Sequence, residues 1–135
     1  MLVLAFGAAA QSSSDTVAID ALNLKISALM KQKKFSEAEP VARELAAAIL
    51  SRSGGVSLDH AKALHILGLL EFVNGSERDA EKSLGRAVEI FELSADPAID
   101  ENLASALETL ANIKRNLGKT NETAETLGKL VQHRK

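Results

Sequence analysis

From Asp15 onward the apolar residues recur at three- and four-residue steps, and no segment shows the sustained period of two that a half-buried strand requires. This pattern predicts an all-α chain. A first helix carries Val17, Ala21, Leu22, Leu24, Ile26, Leu29 and Met30, a set so broad that the helix must be covered on more than one side. Asp15 stands where it would cap that helix, and the basic run Lys31 to Lys34 closes it. Ser36 is placed to cap a second helix that runs to about Arg52, with Pro40 expected in its first turn, where a missing N–H costs nothing. Ser53-Gly54-Gly55 ends that helix, and Ser57 or Asp59 starts a third through Ala61, Leu64, Leu67 and Leu70 to Val73. Asn74-Gly75 marks a turn and Ser76 a cap, before a fourth helix through Leu84, Ala87, Ile90 and Phe91 to about Leu93. Beyond Ser94-Ala95-Asp96-Pro97 a fifth helix holds Leu103, Leu107, Leu110 and Ile113 and closes at Leu117-Gly118. A sixth begins near Thr120 and carries Ala124, Leu127, Leu130 and Val131. Six helices in three hairpins follow.

The start of the chain is different in kind. Residues 1–14 form an apolar and serine-rich tail, MLVLAFGAAA followed by Gln11 and Ser12-Ser13-Ser14. Ala8 and Ala10 have the small-x-small spacing that suits a signal peptidase, but no Lys or Arg precedes Lys25, so the basic start of a full signal is missing. The expectation is an exported, periplasmic-type protein whose leader is truncated at Met1; the alternative is a greasy tail on a cytoplasmic one. Residues 15–135 then form the folded domain, with units at about 15–53, 57–94 and 98–133. No other apolar run has the roughly 20 residues of a membrane span, so no stable membrane insertion of this domain is expected.

Composition narrows the function. The chain has 135 residues, enough for one domain, with 46% hydrophobic and 25% charged residues, which excludes wholesale disorder. The net charge of -2 offers no general attraction to nucleic acid. Absence of cysteine removes thiolate nucleophiles, disulfides and thiolate metal sites together.

Overlaying the hairpins pairs Leu22, Leu64 and Leu107 at intervals of 42 and 43, and Ala38-Glu39, Ala80-Glu81 and Ala124-Glu125 at intervals of 42 and 44. The third unit is therefore expected to carry one extra residue in its turn. Small residues at Ala38, Ala80 and Ala124 would let the two helices of a pair approach closely, leaving the three leucines as knobs toward the next hairpin. Units that cannot bury both faces alone stabilise one another as a short solenoid.

The segments Lys33 to Ile49, Gly75 to Glu92 and Leu107 to Lys119 resemble tetratricopeptide repeats, in the long, roughly 42-residue form of kinesin light chains rather than the usual form of about 34. The matching positions are Phe35, the small Ala38, Ala80 and Ala124, the pair Leu110-Ala111 with its equivalent Leu67-Gly68, and the turn glycines Gly75 and Gly118. Asp59 and Pro97 lie near helix starts, where the long form often has acidic residues and prolines. In the first unit Lys25-Ile26 departs from the Leu-small pattern. The resemblance implies a right-handed superhelical array whose first, third and fifth helices line a concave groove. The groove residues it points to are Asn23, Ser27 and Lys31, then His65, Leu69 and Phe72, then Glu108, Asn112 and Arg115, with Leu69 and Phe72 as an apolar anchor for a partner side chain. The asparagine by which the family's peptide binders clamp an extended peptide is replaced by Leu24, Ile66 and Thr109.

Catalysis has little to stand on. His60 and His65 are five residues apart, off a common helical face, and His133 is remote in sequence, so no metal site is expected. Ser12 to Ser14 have no base placed by spacing, and Gly54-Gly55 lacks the lysine of a phosphate loop. No catalytic residue and no cofactor are assigned. The expected function is a non-catalytic module or scaffold that binds a protein or peptide partner through the groove. The alternative is a structural, self-assembling protein, since Leu127, Leu130 and Val131 on the final helix would be poorly covered and could make a homodimer.

Overall fold

The computed structural model describes residues 2–94 and 96–133, with side chains from Asp15 onward. Six α-helices follow in order: α1 Leu2–Lys31, α2 Phe35–Ser53, α3 Leu58–Val73, α4 Glu77–Glu92, α5 Asp100–Asn116 and α6 Thr120–His133, with a 3-10 turn Pro97–Ile99 before α5. No strand occurs among the described residues. Each helix packs on its neighbours in sequence, α3 on both α2 and α4, α5 on both α4 and α6, so the chain is an all-α solenoid of three helix-turn-helix units. Two apolar clusters hold it together. One joins α1, α2 and α3 through Ile26, Ala42, Leu45, Ile49 and Leu70; the other joins α3, α4, α5 and α6 through Leu84, Phe91, Leu107, Ile113 and Leu130.

The three hairpins use one turn. In the first, Lys34 N–H donates to Leu29 O and Lys33 N–H to Met30 O; in the second, Ser76 to Glu71 and Gly75 to Phe72; in the third, Lys119 to Lys114 and Gly118 to Arg115. This is the six-to-one and five-to-two pairing that satisfies the last carbonyls of a helix and requires a left-handed residue at its corner. Gly75 and Gly118 supply it at φ 91° and 77°, and Lys33 at φ 58°.

That common turn corrects several expectations. The residue following the corner bounds the next helix, so α2 is bounded by Lys34 rather than capped by Ser36, and Pro40 falls in the second turn rather than the first. Ser76 does bound α4, though its side chain makes no capping bond. The expected extra residue is absent from the third turn: Leu107 to Thr123 spans the same 16 residues as Leu22 to Ala38 and Leu64 to Ala80. Thr123, not Ala124, therefore holds the close-approach position, and it is buried while Ala124 is exposed. The added residue lies instead at the α4–α5 crossing, where Asp96 accepts from Ala98 N–H and Pro97 opens the 3-10 turn. Ser57 caps α3 by accepting from His60 N–H at 3.1 Å, as the sequence suggests. Asp15 does not cap α1, because the helical backbone is continuous from Leu2. The side chains on which the signal-type reading of residues 1–14 rests lie outside the described residues.

Candidate interaction cleft

The first helix of each unit meets its successor differently along the array. At the second junction α5 packs directly on α3: Ser105 Oγ lies 3.4 Å from His65 Nε2, and the His65 ring stands edge-on to Phe91 at 6.3 Å. The repeat-equivalent pair at the first junction is Asn23 and Lys62, and here α1 stands off from α3 with at most marginal contact. A cleft of about 380 Å³ fills the gap. Its apolar wall and floor are Ile19, Leu45, Ile49, Ala63 and Ile66, and its polar lining is Asp20, Asn23, Arg52, Ser53, Asp59 and Lys62. Both signs of charge therefore border an apolar floor, the mixture of apolar lining and a few polar groups common to binding clefts.

The residues expected to form one continuous groove are divided by this geometry. Asn23 lines the cleft, and Ser27 and Lys31 are exposed further along α1. His65 is buried, at 7% exposure, with Ser105 of α5 packed beside its ring. Leu69 and Phe72 are half-buried, and Phe72 packs against the cluster of α4 and α5, so it is chiefly a core contact rather than a free anchor. Asn112 is half-buried; Glu108 and Arg115 are exposed on α5, Arg115 beside a shallow hollow with Thr120, Thr123, Ala124 and Leu127. Asp20, Arg52, Asp59, Lys62 and Ile66 were not legible as a group. Their shared feature is the junction itself, which depends on how far α1 stands from α3.

A second polar cluster locks the first two units together on the opposite side of α3. Asn74 Nδ2 donates to Phe35 O at 3.1 Å and to Glu39 Oε1 at 2.9 Å, and Arg43 donates to Glu39 Oε2 at 2.9 Å. The Asn74 bond, with that of Arg43, holds the Glu39 carboxyl below its usual range. Glu71 is buried, accepts a 2.6 Å bond from Ser83 Oγ and lies 3.7 Å from Arg43. Burial outweighs those contacts and raises its pKa. The corresponding lock between the second and third units is Lys119 Nζ to both Glu81 oxygens at 2.9 and 2.8 Å, with Asn116 donating to Glu77. Each carboxylate in these clusters has a partner within the fold, so they act as rivets between units.

The histidines are structural. Burial lowers the pKa of both His60 and His65, and His60 Nδ1 is enclosed without a hydrogen-bond partner. His133 Nε2 reaches Asp100 O at 3.1 Å and ties the end of α6 to the start of α5. Among the described residues no three of His, Asp and Glu gather as metal ligands would, and no helix is long and apolar enough to cross a membrane.

Comparison with known proteins bears on the fold. No family model matches the chain, and no curated protein sequence matches it. Among solved structures it is similar to BtubC (BKLC) from P. vanneervenii, with a TM-score of 0.77 at 17% identity. The likeness covers 86% of this chain and 46% of that one, so this chain spans about half the length of BtubC. It supports the all-helical repeat fold.

Proposed function

We propose that the chain is a non-catalytic protein-interaction module that receives a segment of a partner protein in the cleft between α1 and α3. The observation that carries this reading is the standoff at the first junction. It leaves the half-buried Ile66 beside a cleft floored by Leu45, Ile49 and Ala63, at a place where the second junction is closed by His65 and Ser105. The segment that fits places an aliphatic side chain on that floor and offers charged groups of both signs to Asp20, Arg52, Asp59 and Lys62. Burying one such side chain contributes about 1.5–3 kcal/mol, so affinity must also draw on contacts along Ser27 and Lys31.

The test is site-specific photo-cross-linking in the native host, with the reactive side chain at Asn23 and, as control, at Lys82 on the outer surface of α4. A single protein captured at Asn23 and not at Lys82, and lost in an Asp20→Lys, Lys62→Glu variant that keeps its helical circular dichroism, is the expected result. Equal capture at both positions, or capture indifferent to the double variant, would overturn the reading.

A further inference from the structure

Asn74 stands just before the corner of the second hairpin, and its side chain is the middle of the brace between the first two units. Its Nδ2 donates to Phe35 O at 3.1 Å and to Glu39 Oε1 at 2.9 Å, so the amide is committed to α2. The residue is exposed, and Gly75 follows it, the one Asn-Gly pair in the sequence.

An Asn-Gly pair carries its own chemistry. The Gly75 amide nitrogen, once it has given its proton to hydroxide, attacks Asn74 Cγ. The bond from Cγ to the side-chain nitrogen breaks, and ammonia leaves with a proton taken from water. Water then opens the resulting cyclic imide at either carbonyl, leaving an aspartate or a chain that runs on through the side-chain carboxyl. Nothing is oxidised or reduced, and water is the only co-reactant. Glycine suits the attacking position because no Cβ screens its nitrogen. The equivalents of Asn74 in the other hairpins are Gln32, whose ring would be one atom larger, and Leu117.

The fold guards this step. Asn74 has φ -82° and ψ -1°. Ring closure needs the Gly75 nitrogen swung toward Cβ, roughly a third of a turn about the Cα–C bond for tetrahedral substituents. That rotation breaks the turn, in which Gly75 N–H donates to Phe72 O at 3.1 Å and Ser76 N–H to Glu71 O at 2.8 Å. It also draws the amide away from Glu39. We infer that Asn74 is a self-modification site, held unreacted while the brace is closed and converted when it opens. Conversion runs one way. The new carboxylate stands where Phe35 O and Glu39 need a donor, and two like charges then face each other, so the brace does not re-form. Asn116 is a built-in reference: it donates to Glu77 Oε1 at 3.0 Å across the second junction, but the branched Leu117 follows it and screens the attacking nitrogen.

Peptide mapping by mass spectrometry tests this on the folded chain held at neutral pH for days, scoring the exchange of NH2 for OH and the isoaspartyl link at each asparagine. Asn74 is expected to convert ahead of Asn116. Glu39→Ala, with circular dichroism confirming the fold, removes the charged acceptor and is expected to speed conversion at Asn74 by roughly five- to tenfold. Asn116 should keep its rate in that variant, since a general loosening would speed both. Asn74→Asp, which mimics one product, is expected to melt below the wild type. Conversion at Asn74 no faster than at Asn116 overturns the inference. So does a Glu39→Ala chain that leaves Asn74 unchanged or speeds both sites alike, and so does an Asn74→Asp chain as stable as the wild type.

Discussion

Lys33 and Gly75 hold the same corner of successive hairpins, 42 residues apart, and both adopt positive φ, at 58° and 91°. The turn dictates the backbone and the residue conforms. For a lysine the left-handed region costs about 1–2 kcal/mol that a glycine does not bear.

Replacing Lys33 with Gly is therefore expected to stabilise the chain by about 0.5–1 kcal/mol, after the added flexibility of the unfolded glycine is subtracted. Gly118→Ala should do the reverse by a similar amount, although a Cβ there would meet no atom within 4 Å. Thermal unfolding of both variants measures this, and a Lys33→Gly midpoint below wild type would contradict it.

A second pair of substitutions separates space from propensity. A Cβ added at Gly68 would lie 2.6 Å from Leu84 Cγ, while one added at Gly85 would touch nothing within 4 Å. Leu84 is fully buried and cannot swing aside. Gly68→Ala is expected to lose about 1–3 kcal/mol to overpacking, and Gly85→Ala to gain up to about 1 kcal/mol in helix propensity. Urea unfolding should show opposite signs for the two.

The same position shows what the sequence reveals and conceals. Lys25-Ile26 looks out of pattern because a bulky residue replaces the small one at Gly68 and Ala111. Its facing equivalent compensates: Ala42 stands where the second unit has Leu84, and Ile26 and Ala42 are buried in one cluster. Large and small have changed sides, which a one-strand motif reading cannot see. Helix number, order and the inner apolar faces were legible because the 3.6-residue period encodes them directly. The third-unit register was misread since Ala124 is small like Ala38, whereas the turn geometry selects Thr123. Asp15 as a cap failed because residues before it are helical too, and His65 as a groove residue failed because exposure on α3 depends on α5, 40 residues away.

Acid should weaken the fold through His60 and His65. Both have pKa values lowered from 6.5 by burial, so above about 6.5 the neutral form is present folded and unfolded alike. Below it the unfolded chain takes up protons that the folded chain refuses, and stability falls toward the folded values. Denaturant unfolding between pH 7.5 and 5, in steps of about half a unit, should show this decline, and His60→Gln should make it shallower. A decline of unchanged slope would show that His60 does not contribute.

Glu71 acts with the opposite sign. Its folded pKa is raised above 4.5, so its ionisation opposes folding as pH rises from that value through the folded one. Glu71→Gln, which can still accept the Ser83 bond, is expected to gain about 1 kcal/mol at pH 7. The gain should shrink as pH falls through the raised folded value toward 4.5; a loss at pH 7 would mean that the Arg43 attraction dominates.

The unequal junctions give the array a mechanical character. Where α5 rests on α3 the two units resist bending as one block, with Lys119–Glu81 bracing the far side. At the first junction only α2 transmits load between α1 and α3, and the polar brace of Asn74 and Glu39 lies on one side of it. The leading helix is thus held to the rest of the array chiefly through α2, whereas the third unit is held through two helices at once.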